Sequence, residues 1–344
     1  MRLSQLFLIP ALLAATSPPP PPPSLLNPYI SNGRFDPGDY KWLRGRFAHA
    51  SEPDRAANEA IEEWEKRCFA ASRAESRAEL AALGINSGEN LDTVPPRDPI
   101  CSEVSASPWP LNLDDWESFA HDVLIVRPIA QAYLSAVAAA ETIAAPHGPS
   151  LSDWINARAM GEQMLRSGIA WAGGNQADSP VLTTQQRAIL ISQISIAIVQ
   201  RDHANTEWLK GLVAAKGWPR RSIVGDGAAG VAWLLAQHAD ADPAFQLRAL
   251  RLMEPLIPLG EVDRKNYAYL YDRVMLKIVG RQRYATQMTC KGGRYVPQPL
   301  ESEGLVEKRR REMGLGTLRE YEQQMVKVVG ACPAASPTTK PVGR

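Results

Sequence analysis

The sequence predicts a mainly α fold, a multi-helix, bundle-like body with one small β-hairpin near residues 283–297. Three observations predict it. Apolar residues recur at steps of three and four along most of the chain. Capping residues and Gly or Pro stops bound these periodic segments. A single stretch has strand composition around a glycine turn. With 344 residues, 45% of them hydrophobic and 22% charged, the chain can bury a sizeable core and is too apolar to stay disordered. Its 38 Lys and Arg against 37 Asp and Glu leave a formal net charge of +1. That balance lacks the basic excess on which nucleic-acid binding rests, so no nucleic-acid partner is expected.

Residues 1–17, MRLSQLFLIPALLAATS, place Arg2 before an apolar run from Leu6 to Ala15 and read as a signal peptide. The run is too short to span a bilayer as a stable helix. Residues 18–26 form a spacer, in which Pro18 to Pro23 adopt polyproline II, about 19 Å long at ~3.1 Å per residue. A periplasmic or secreted soluble protein is the expectation. No integral membrane segment is expected after signal removal, since Arg127 interrupts the most apolar later stretch.

An N-terminal helical region is expected over 27–180 and a C-terminal helical domain with the hairpin over 181–330. In the first, a helix runs from the capping Ser51 to Leu83, with Pro53 tolerated in its first turn. Residues 84–112 hold Pro95, Pro96, Pro99, Pro108 and Pro110 and read as a long irregular connection. Helices follow over 114–145 and 151–171. In the second region, Thr183 and Thr184 open the longest helix, which closes at Gly217-Trp218-Pro219. Two more cover 226–239 and 243–259, and another covers 304–329. Residues 331–344 are a Pro/Thr-rich, flexible tail.

In an oxidising compartment the four cysteines suggest disulfides Cys68–Cys101 and Cys290–Cys332. Free thiols are the alternative, because Cys68 shares a helical stripe with Ile61, Trp64 and Ala71. No C-x-x-C pair is present, and neither a metal nor a cofactor is expected.

Candidate chemistry starts from a carboxylate in an apolar stripe. Ile191, Ile194, Ile198, Asp202, Asn205, Leu209 and Leu212 follow steps of three and four and so share one helix face. A carboxylate there needs a partner, and Arg273, among the aromatic residues of 267–274, is the expected one. A structural ion pair and a polar pocket both remain open. His238 ends a helix, where the dipole favours an imidazolium, and Asp242-Pro243 reads as an N-cap followed by a first-turn proline. His203 points to a solvated face. Gly225-Asp226-Gly227-Ala228-Ala229-Gly230 spells G-x-G-x-x-G but lacks the strand and βαβ context of a dinucleotide site. Arg309-Arg310-Arg311 reads as a solvated helix face.

The stretch from Asp202 to Gln287 resembles a bacterial domain-of-unknown-function family, within a resemblance covering about residues 195–325. The matching pieces include Asp202-x-x-Asn205, Gly217-Trp218-Pro219, Gln237-His238-Ala239-Asp240, Ala268-Tyr269-Leu270-x-Asp272-Arg273 and Tyr284-Ala285-Thr286-Gln287. Family members often carry Gly where this chain has Ala285. The resemblance implies that Asp202, Asn205, Trp218, Gln237, His238, Asp272, Arg273 and Gln287 belong to one arrangement; it implies no activity. Residues 27–180 lie outside it.

Two functions fit. The first is an exported module binding a small-molecule or protein ligand, with Asn205, Trp218, Gln237, Asp240, Asp272 and Gln287 as candidate binding residues. The alternative is a water-nucleophile hydrolase with His238 as general base, Asp202 or Asp240 orienting it, and Arg273 and Gln287 holding an anionic or polar substrate.

Overall fold

The computed structural model describes residues 19–332 apart from 88, 108–110 and 112. The signal peptide expected over 1–17 and the tail beyond Cys332 lie outside the described residues. The fold is mainly α, with two small antiparallel hairpins.

Helix α1 (Glu52–Ala82) starts where the Ser51 side chain accepts the Asp54 amide, and α3 (Trp116–Ala144) where Asp115 accepts from Ser118. Between them lies α2 (Pro99–Ser105), a short helix inside the segment expected to be irregular. Asp98 caps it and Pro99 occupies its first position, so the proline that argued against helix here starts one. Helix α4 (Leu151–Ala172) packs on α5 (Thr184–Lys216), whose start is a complete Thr183–Gln186 capping box. Gly161 permits α4 to approach α3, because a Cβ there would overlap the Glu141 carboxylate. By length and composition α3 could cross a membrane; its Phe119, Val123, Val126 and Ala130 are buried in the core.

Helix α6 (Arg221–Gln237) is broken at Gly225, which takes φ 79°. The G-x-G-x-x-G letters therefore serve a helix kink. Helix α7 (Pro243–Met253) begins on the expected Asp242 cap. Helix α8 (Arg264–Val279), unassigned in the sequence, is capped by Asp263 and buries Tyr267, Leu270, Val274 and Ile278 at steps of three and four. Two short helices, α9 (Val306–Glu312) and α10 (Leu318–Val329), close the fold.

The first hairpin joins β1 (Ile30–Ser31) to β2 (Arg34–Phe35) through Asn32-Gly33, both at positive φ. The second pairs β3 (Met288–Lys291) with β4 (Arg294–Pro297) across Gly292-Gly293. Its strand begins five residues later than the expected residue 283; residues 283–287 are a loop wrapped around Asp272.

Two apolar cores result. One gathers Trp42, Ile61, Trp64, Phe119 and Ile194; the other gathers Phe245, Met253, Leu270, Val274 and Trp218. Helix α5 crosses both, giving Ile189, Leu190 and Ile194 to the first and Leu209 to the second. Of the two expected disulfides, Cys290–Cys332 is formed and joins β3 to the segment after α10. Cys68 and Cys101 differ from the favoured pairing: they are buried free thiols in hydrogen-bonding contact, and that contact, with burial behind it, raises the Cys101 pKa.

Candidate functional site

Asp202 does not meet Arg273. Its carboxylate accepts two hydrogen bonds from one Arg166 nitrogen, both at 2.8 Å, from the facing helix α4. Arg166 also donates Nε to Glu162 Oε1 at 2.9 Å. Glu162 is fully buried, and the same oxygen meets Nδ1 of His238 at the end of α6. Three helices thus bring Glu162, Asp202 and His238 together, with their ligand-capable atoms within 4.8 Å of one another. Burial pushes the Asp202 carboxyl up to about 6 against the pull of Arg166 and His238. For Glu162, burial acts in the same direction but loses to His238 and Arg166, and its pKa lies below the ordinary value.

Satisfaction of this cluster is incomplete. Glu162 Oε2 is buried without a hydrogen-bond partner among the described residues, and so is Asn205 Oδ1. Asn205, one turn beyond Asp202, donates its amide to the Arg158 carbonyl at 3.4 Å, one turn before Glu162. Buried oxygens left in this condition cost free energy, about 1–3 kcal/mol each.

His238 and Asp202 line one cleft of about 400 Å³. Its walls are α5, the α6–α7 turn and the proline-rich connection at 95–99. Arg97 fixes that connection: its guanidinium binds Glu79 at 3.0 and 3.1 Å and Asp242 at 3.0 Å. Lys210 meets Asp242 at 3.1 Å from the other side. Among the lining residues seven are Asp or Glu and two are Arg or Lys. Arg166, Arg248, Arg273 and Lys277 stand behind them, which leaves seven lining carboxylates against six cationic side chains. His203 is exposed at the cleft edge.

The remaining sequence candidates divide differently. Arg273 and Gln287 line a separate surface depression with Lys277 and Gln298, so they do not hold a substrate against His238. Arg273 instead binds Asp240 through Nε at 3.0 Å and through its terminal nitrogen, and Lys277 binds the same carboxylate. Burial opposes charge on Asp240, yet Lys277 and Arg273 hold it well below the carboxylate range. Asp240 therefore forms a wall between the two cavities rather than orienting His238. Gln237 contributes its carbonyl to Gln246 at 3.0 Å, and Trp218 is packed in the second core.

Asp272 is fully buried and accepts the backbone amides of Arg283, Tyr284 and Thr286 at 2.7 to 3.1 Å. Burial nevertheless keeps its pKa above the ordinary value. Arg310, expected on a solvated face, is buried and donates to the carbonyls of Tyr284, Ala285 and Gly316. Its task is to neutralise loop carbonyls that no helix or strand satisfies.

Glu162 and Arg166 were not singled out in the sequence. The signal was present: Glu162 interrupts the buried stripe Ile155, Glu162, Leu165, Ala172 much as Asp202 interrupts its own.

Residues 150–331 match the model of a family described as of unknown function, DUF6624. The match starts at α4, earlier than the resemblance read from the sequence, and so includes Glu162 and Arg166 with Asp202 and His238. No curated protein and no solved structure matches the chain.

Proposed function

Because the chain belongs to this family of unknown function (DUF6624), the cleft has to supply the reading, and we propose that it binds a small, positively charged ligand. The observation that carries this is the acidic excess of a solvent-open cleft whose floor holds Asp202 and His238. A cation entering it meets carboxylates already partly desolvated, where Coulomb attraction is stronger than in water. The leader read in the first residues would put this binding module outside the cytoplasm. Cell fractionation with N-terminal sequencing of the mature chain tests the location.

The binding test is a thermal-shift series with spermidine, arginine amide, citrate and phosphate. A ligand that binds only the folded state adds about 2.7 kcal/mol at a hundred times its Kd. The cationic probes should raise the midpoint and the anionic ones should not; the reverse pattern overturns the reading.

One contact favours a second reading, a hydrolase with water as nucleophile. Glu162 holds Nδ1 of His238, which leaves Nε2 as the ring nitrogen able to take a proton. A buried carboxylate orienting an imidazole is the support a general base needs. Here His238→Gln should lower turnover of a hydrolysable cationic substrate about 100-fold or more. Unchanged turnover would remove this second reading and leave binding intact.

A further inference from the structure

We infer that Glu162, Asp202 and His238 together bind a divalent metal ion of the zinc or manganese class. Two carboxylates and an imidazole form a mixed oxygen and nitrogen set that suits such ions. Their donor atoms already lie within 4.8 Å of one another and come from three helices, α4, α5 and the end of α6, so the backbone fixes the spacing. The unpartnered Oε2 of fully buried Glu162 is the independent sign, since a protein rarely leaves a buried carboxylate oxygen unmatched.

Arg166 holds the two carboxylates together in the present arrangement, through Nε to Glu162 and a terminal nitrogen to Asp202. Its side chain is 32% exposed, against 0% for Glu162, so it has a path into solvent that the carboxylate lacks. The guanidinium and the metal ion therefore compete for the same two carboxylates. This inference does not rest on the organic ligand proposed above. With the ion bound, His238 is a ligand to it rather than a base.

The test follows the six-line EPR signal of free Mn²⁺ during titration of the chelator-treated full chain, with no organic ligand present. Wild type should remove about one equivalent below ~1 mM Mn²⁺. Glu162→Gln and Asp202→Asn should each weaken binding by at least about tenfold. Glu59→Gln, on the exposed face of α1 and outside the cleft lining, should leave it unchanged. Arg166→Met should bind more tightly than wild type and recover its melting midpoint when Mn²⁺ is added. Should Glu162→Gln fail to fold, Asp202→Asn and Arg166→Met decide. Absence of saturable uptake by wild type, or uptake indifferent to Asp202→Asn and Arg166→Met, overturns the inference. Loss of spermidine binding in the presence of chelator would count against the ligand reading alone.

Discussion

Two buried carboxylates in this chain live under opposite conditions. Asp272 sits inside a closed loop where three backbone amides point at it, and Arg310 caps the carbonyls of the same loop. Glu162 lies buried behind Asp202 and His238, which line the cleft, with one oxygen shared by His238 and Arg166 and the other unmatched. A fully satisfied network rigidifies a fold, whereas an incompletely satisfied one beside solvent costs stability that packing alone would not retain. Under the reading proposed above, the difference gives Asp272 to architecture and the Glu162 cluster to ligand binding.

The largest expected effect lies on the architectural side. Asp272→Ala strands three buried amides and should cost at least about 3 kcal/mol, read from urea denaturation at constant m-value. A loss under about 1 kcal/mol would erase the contrast between the two carboxylates.

Asp240 tests the wall between the cavities. Asp240→Asn leaves Arg273 and Lys277 without their shared anion and should cost about 3 kcal/mol at neutral pH. The sign follows from its lowered pKa: the folded state binds the proton more weakly than the unfolded chain. The stabilisation is thus complete above the ordinary Asp range and is lost as pH falls below about 4. Wild type and Asp240→Asn should converge in acid. A constant gap down to pH 2 would show that the charge is not the source.

The smallest effect concerns Ala285, which takes φ 55° in the loop around Asp272. A Cβ in this left-handed region costs about 1 kcal/mol, so Ala285→Gly should raise stability by a comparable amount. Destabilisation by glycine would mean that the Cβ packing outweighs the backbone strain.

Most of the helical order was legible because each start carries its own chemistry: Ser51, Thr183 and Asp242 cap as their side chains predict. Helix α8 was missed because three tyrosines and its charged residues blur the period that Tyr267, Leu270, Val274 and Ile278 keep. Asp202 was legible as a carboxylate facing inward, but its partner was not. A stripe names the face a residue occupies, and the facing helix supplies the neighbour; α4 rather than α8 lies opposite. Glu162 stayed hidden because Arg166 four residues on makes it look like a solvated ion pair, which the fold then buries. Arg310 was misread for the same reason: charge in sequence says nothing of which carbonyls the chain leaves open nearby.

The proposal that the cleft cluster serves binding while Asp272 serves the fold is tested most directly on Asp202→Asn, which removes a cleft carboxylate and keeps an oxygen to accept from Arg166. Spermidine affinity by calorimetry and the melting midpoint should be measured on the same sample. The account predicts that affinity falls at least about tenfold, roughly 1.4 kcal/mol, while the midpoint stays within ~2 °C of wild type. A midpoint that drops steeply with affinity unchanged at low temperature would contradict it and make Asp202 one more structural contact.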